Sequence, residues 1–144
     1  MKAYPETLGY SEVWPFFEKG GLAHVATIDG DQPRVRTMAL ITHDHTLWLV
    51  THTSDNKVEQ IKNNPKIEFT YTVPGIDRTG CLRTTATAEI IGDSDMRDAV
   101  AKSIRWFDGY WESGADPEYT LIRLTPTKML FDHHKSRMKY TILL

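Results

Sequence analysis

A chain of 144 residues can fold as one domain that buries roughly two-thirds of its unfolded surface, and 40% apolar with 25% charged residues excludes disordered and fibrous classes. A formal charge of −2, with lysines and arginines dispersed among acids, provides no basic stripe, so nucleic acid is not an expected partner. Cys81 is the only cysteine, which excludes an intrachain disulfide. No run approaches the ~18 apolar residues of a membrane helix, and the opening stretch, with Pro5 and Glu6, does not read as a signal peptide, so a cytoplasmic protein without membrane contact is expected.

The first predicted element is a helix over 11–19, capped by Ser11, with Pro15 in its first turns. Val13, Phe16 and Phe17 supply its buried face, and Gly20-Gly21 ends it. Residues 22–29 and 33–42 are β-rich runs separated by Asp29-Gly30-Asp31-Gln32. A third run, 46–53, follows the polar corner His43-Asp44-His45, and the three read as an antiparallel meander. At 54–63 the spacing turns helical, with Val58 and Ile61 on one face and Pro65 forbidding continuation.

Residues 66–73 alternate Ile67, Phe69, Tyr71 and Val73 with polar neighbours, Pro74-Gly75 breaks the run, and 80–91 forms another long strand. Asp93 or Ser94 caps a helix reaching about Phe107, with Met96, Ala99, Val100, Ser103 and Ile104 inward. After a turn-rich segment through Pro117, residues 119–124 and 127–132 read as one or two strands, followed by a basic, histidine-containing tail. The expectation is one domain, 1–144, mainly β, a barrel with flanking helices.

Two positive sources converge in this order of elements. Arg34 and Arg36, two apart on a strand, share a face with Met38 and Leu40, leaving Val35, Thr37, Ala39 and Ile41 for the interior. The 54–57 turn opens a helix whose unpaired amides and partial positive charge suit an anion; Ser54 is its expected cap, and Lys57 adds a full charge. A phosphate would gain about 1.5 to 3 kcal/mol from each charged hydrogen bond. Asp55 opposes an anion unless its side chain points outward. Apolar Met38 and Leu40 beside the arginines point to a second copy covering that face.

Arg36-Thr37-Met38-Ala39-Leu40-Ile41, then Val50-Thr51, then Asn56-Lys57-Val58-Glu59-Gln60-Ile61-Lys62-Asn63-Asn64-Pro65 closely resemble the FMN-binding core of the pyridoxamine phosphate oxidase-like split barrels, over about half of the chain. The resemblance implies a six- to seven-stranded antiparallel split β-barrel, with FMN between the subunits of a homodimer. The strand arginine and helix lysine would hold its phosphate, and the strand backbone would line the isoalloxazine. Carried over by position, it implicates Arg36, Lys57, Thr51, Met38, Ala39 and Leu40; Arg34, Thr37, Val50 and Ser54 complete the candidate cofactor-binding segments. Asn56 stands where the family often has a second basic residue. Cys81 falls near a position where an amide reaches flavin, and Phe131 near a tryptophan that packs at the cofactor. The tail, His133-His134-Lys135-Ser136-Arg137, lacks the substrate-binding signature of a true pyridoxamine phosphate oxidase, which places the chain nearer the general-stress-protein branch.

The implied function is an FMN-dependent oxidoreductase moving hydride or electrons between a donor such as NAD(P)H and a small-molecule substrate, with no protein acid or base assigned. The alternative is a non-catalytic module that stores or senses FMN, deazaflavin or haem. His43, His45, His52, His133 and His134 have no acidic partner at a familiar ligand spacing, so no metal site is expected. Trp106, Phe107, Tyr110 and Trp111 serve either as a roof over a flat ligand or as packing. No Ser-His-Asp triad, phosphate-binding glycine loop or paired carboxylates stand out, leaving hydrolase and kinase readings without support.

Overall fold

Apolar side chains recurring at every second position, bounded by glycine and polar turns, put most of this chain into strands. The computed structural model describes residues 1–73 and 80–144, and the break expected at Pro74-Gly75 lies outside the described residues. The elements in order are β1 (Glu6–Gly9), α1 (Tyr10–Glu18), β2 (Leu22–Asp29), β3 (Gln32–Ala39), β4 (Ile41–His43), β5 (Thr46–His52) and α2 (Asn56–Asn63). They continue with β6 (Lys66–Thr72), β7 (Gly80–Ile91), α3 (Ser94–Ser103), β8 (Tyr119–His133) and β9 (Met138–Leu143). No helix among the described residues is long and apolar enough to cross a membrane.

The mainly β architecture with flanking helices agrees with the expectation. Strand order is β1-β9-β8-β7-β6-β2-β3, with β5 on the other edge of β8 and β4 beside β5. Strand β8 organises this arrangement. One edge pairs with β7, while the other is divided: residues 119–124 pair with β5, and 130–133 with β9. Pro126, which has no amide hydrogen, lies in the gap between those partners, and a register shift opposite Thr85 and Ala86 leaves Thr127 outside the β7 pairing. The two expected runs are therefore one strand with a bulge.

Nine strands occur among the described residues, more than the six or seven implied, for three local reasons. Residues 33–42 divide at Leu40, whose amide donates to Gly21 O; the supposed tail contains β9, which pairs antiparallel with β8; and the residues before α1 form β1, parallel to β9.

Side chains of the barrel interior, among them Val25, Leu40, Leu49, Phe69, Leu82 and Met129, form one core, and α1 packs Val13, Trp14 and Phe17 against it. Helix α1 starts one residue before the expected cap, because the Gly9 amide donates to Glu12 Oε2 at 2.7 Å. A second core lies on the other face of β5 and β8, where Trp48, Val50, Tyr119 and Leu121 meet Val100, Ile104, Phe107 and Trp111. Leu47 and Leu49 belong to the first core and Trp48 and Val50 to the second, so β5 is buried on both faces. Helix α3 stops at Ser103, short of 107, because Ile104 adopts extended backbone and redirects the chain.

The face assignment of β3 is corrected. Met38 and Leu40 are buried in the first core, whereas Val35 is 71% exposed and Thr37 also faces out. The cause is register: Ala23 opposes Met38 and Val25 opposes Arg36, and directly opposed residues share a face, so the buried side of β2 draws its partners inward. Met38 and Leu40 therefore supply no exposed dimer surface.

Tyr71 ties α1 to the barrel, its hydroxyl lying 2.8 Å from Phe16 O and 2.6 Å from Gly20 O, and burial pushes its phenol up to about 12. Tyr71→Phe should lower the unfolding free energy by about 1 to 3 kcal/mol in urea titrations. A raised folded pKa gives stability that is fully present below the unfolded value of 10.0 and lost as pH rises toward about 12, so the advantage over the variant should shrink in that window.

Candidate functional site

Strands β3 and β5 approach one another without a hydrogen-bonded ladder, and the segment after α3 folds across them. Between these parts lies a groove of about 470 Å³. Thr37, Met38 and Ala39 of β3 and Val50, Thr51 and His52 of β5 supply two walls, with Leu22 beside them. Trp106, Tyr110 and Trp111 form an aromatic wall, and Lys57 contributes an ammonium group.

The aromatic wall has a fixed foot and an open tip. Trp111 is buried, donates Nε1 to Glu118 O at 3.0 Å, and packs at ring distances of 5.1 Å from Phe107 and 5.4 Å from Tyr119. Arg97 clamps the returning loop by donating to Gly114 O and Asp116 O, both at 3.0 Å, while its guanidinium lies 4.5 Å over the Tyr119 ring. Trp106 and Tyr110 meet edge to face at 5.5 Å and remain 42% and 59% exposed. The His52 ring sits 5.1 Å from Trp111, joining the β5 wall to the aromatic one.

Lys57 belongs to a closed polar triangle. Its ammonium donates to Thr51 Oγ1 and Asp55 Oδ2, each at 2.9 Å, and Thr51 Oγ1 donates to the same Asp55 oxygen at 2.7 Å. The Thr51 and Lys57 hydrogen bonds hold the Asp55 carboxyl below its usual range, and the charges of Lys57 and His52 add to the effect. Arg36 lies one layer behind, donating to Thr27 Oγ1 at 2.8 Å and Gln60 Oε1 at 3.1 Å. Burial lowers its guanidinium pKa, and nearby Asp55 offsets part of that.

Of the candidate residues, Thr37, Met38, Ala39, Val50, Thr51 and Lys57 come together on the groove. Arg34 instead pairs with Asp29 at 3.2 Å near the β2–β3 turn, and Leu40 is in the barrel core. Ser54 is not the α2 cap: its hydroxyl donates to Glu118 Oε2 at 3.0 Å, and Asp55 occupies the N-cap position, with Asn56 exposed beside it. Phe131 stacks between Phe16 and Tyr140, against Gly80, where a Cβ would lie 2.9 Å from its ring. Cys81 is half-buried opposite Asp132, with burial pushing its thiol pKa up. Neither lines the groove. Asp55, expected to face outward if an anion bound there, faces Lys57.

His52, outside the candidate cofactor-binding set, directly follows Thr51 and shares the groove. Of the aromatic cluster, Phe107 and Trp111 pack in the second core, while Trp106, Tyr110 and Trp111 line the groove. Among the described residues, no group of three His, Cys, Asp or Glu side chains is placed to hold a metal ion.

The depressed Asp55 pKa implies acid sensitivity. Its contribution is present above the unfolded value of 3.8 and is lost as pH falls through the lower folded value, so Asp55→Asn should flatten the acid limb of the thermal midpoint measured from neutral pH downward.

This architecture and sequence are shared with known proteins. General stress protein 26 of Bacillus subtilis (strain 168) is 26% identical over 108 residues, covering 71% of this chain and 72% of that protein. The crystal structure of a protein from Clostridium acetobutylicum, related to general stress protein 26 of B. subtilis and described as of the pyridoxinephosphate oxidase family, superposes with a TM-score of 0.73. It is 23% identical, over 91% of this chain and 92% of that one. A pyridoxamine 5'-phosphate oxidase-related, FMN binding protein from Nostoc punctiforme PCC 73102 gives a TM-score of 0.71 at 16% identity, over 96% and 90% of the two chains. The sequence profile of the pyridoxamine 5'-phosphate oxidase family matches residues 11–132, most of the chain. The chain belongs to the pyridoxamine 5'-phosphate oxidase family.

Proposed function

We propose that this protein is a cytoplasmic FMN-binding oxidoreductase, a homodimer that passes hydride or electrons between a reduced donor such as NAD(P)H and a small planar substrate. The observation that carries the reading is a lysine at the start of a helix sharing one groove with two apolar strand walls and an aromatic wall. A phosphate finds its donors in the Lys57 ammonium, the Thr51 hydroxyl and the first α2 amides, with Arg36 close behind. Met38, Ala39 and Val50 line the groove on one side and Trp106 and Tyr110 on another, and between them they would flank a flat ring. The groove volume suits a ligand of that size. That the FMN binding protein from Nostoc shares this fold supports the same choice.

When bound, flavin would supply the redox chemistry, and the chain's own residues bind, orient and shield. Lys57 and Thr51 would hold the anionic end, β3 and β5 would flank the ring, and the exposed tip of the aromatic wall would limit water and favour flat partners. His52 lines the same groove, its ring 5.1 Å from that of Trp111. Leu22, Trp106 and Tyr110, at 62%, 42% and 59% exposure around the groove, form the apolar surface that a second copy would cover.

Purified protein should show a flavin absorption band that bleaches on anaerobic NADPH or NADH addition, and it should sediment as a dimer. A flavin band that resists both donors favours a storage or sensing module, a Soret band favours haem, and a monomer refutes the shared-interface reading. Lys57→Ala should weaken FMN binding by about 1.5 to 3 kcal/mol, roughly tenfold to more than a hundredfold, as read by quenching of flavin fluorescence. Arg36→Ala should act in the same direction; unchanged affinity in both variants defeats the assignment.

A further inference from the structure

Resting on the phosphate seat just described, we propose that Asp55 is a specificity-determining residue of that seat. Its carboxylate holds the place on Lys57 that a phosphate must take, so the protein grades flavins by whether their anion can displace one of its own. Among the described residues, two aspartates occupy helix N-cap positions, and they behave differently. Asp93 caps α3 in the usual way, its side chain accepting from Met96 N at 2.9 Å. Asp55 forms no side-chain cap on α2; only its backbone carbonyl is used, accepting from Val58 N at 3.1 Å.

The N-cap position therefore does not dictate where the Asp55 carboxylate points. It makes no bond to the α2 amides, and a single oxygen takes hydrogen bonds from the side chains of both Thr51 and Lys57. These are two of the donors a bound phosphate would need. A dianion arriving at Lys57 would meet a like charge within a few ångströms, in a place where Lys57 is largely shielded, its side chain 14% exposed. Asp55 must then release Lys57 and Thr51. A flavin without a phosphate meets no such competition. Binding of the ring and binding of the anion are thereby separable, and Asp55 acts on the second alone.

The test is an equilibrium titration of flavin-stripped wild-type protein and Asp55→Asn with FMN and with riboflavin, read by flavin fluorescence quenching. The amide keeps the shape and can still accept from Thr51 and Lys57, while thermal unfolding at neutral pH reports whether the variant is folded. The expected result is FMN affinity raised by about tenfold or more, with riboflavin affinity changed by less than about twofold. Should the amide variant fold poorly, Asp55→Ala is read in its place, with the same expectation. Unchanged or weaker FMN binding, or an equal gain for riboflavin, overturns the role of Asp55 while leaving flavin binding intact. Failure of wild type and variant alike to bind FMN overturns the seat itself, and this inference with it.

Discussion

The divided edge of β8 is the constraint on which the rest of this molecule depends. Its first part, residues 119–124, is committed to β5, so β5 is held against the barrel and simultaneously offers its other face to α3 and the loop that follows. A strand buried on both faces cannot slip by one residue without exposing an entire apolar set. That rigidity delivers Val50, Thr51 and His52 to the groove in fixed order, and it brings the start of α2 out beside them. The aromatic wall depends on the same commitment, since Trp111 hangs from the carbonyl of Glu118, just before β8 begins.

Much of the fold was legible because it is local. The bounds of β2 and β7 follow directly from β-rich runs ended by polar or glycine punctuation, and the α2 pattern is closed by Pro65. What escaped was set by pairing at long range. Strand β9 carries Tyr140 and Ile142 in alternation, a weak signal within a basic tail, and it becomes a strand by docking on β8 and β1. The inverted face of β3 has the same origin: alternation fixes which residues travel together, while only the register with β2 says which set turns inward.

The candidate site was legible in composition more than in contact. Lys57, Thr51 and the end of β3 do meet on one groove, because the order strand, strand, helix constrains them together. Arg36 illustrates what spacing cannot convey. It lies on the inner side of β3, where burying a guanidinium requires acceptors, and Thr27 and Gln60 provide them. Gln60 in turn is placed by α2, so the helix that presents Lys57 to the groove also restrains the arginine behind it. Asp55 could be read from sequence as a charge but not as a direction, since its orientation follows from donors that only the folded chain assembles.

The gap on the second edge of β8, where neither β5 nor β9 reaches, has a consequence for behaviour at high concentration. An unpaired strand margin is a template onto which another chain can add, and barrels that fail to close carry this hazard permanently. Here the open stretch contains Pro126, which cannot donate, and Lys128, whose charge resists a neighbour, while the bulge disturbs the flatness that stacking requires. The fold can thus stay open at this seam without becoming a nucleus for aggregation.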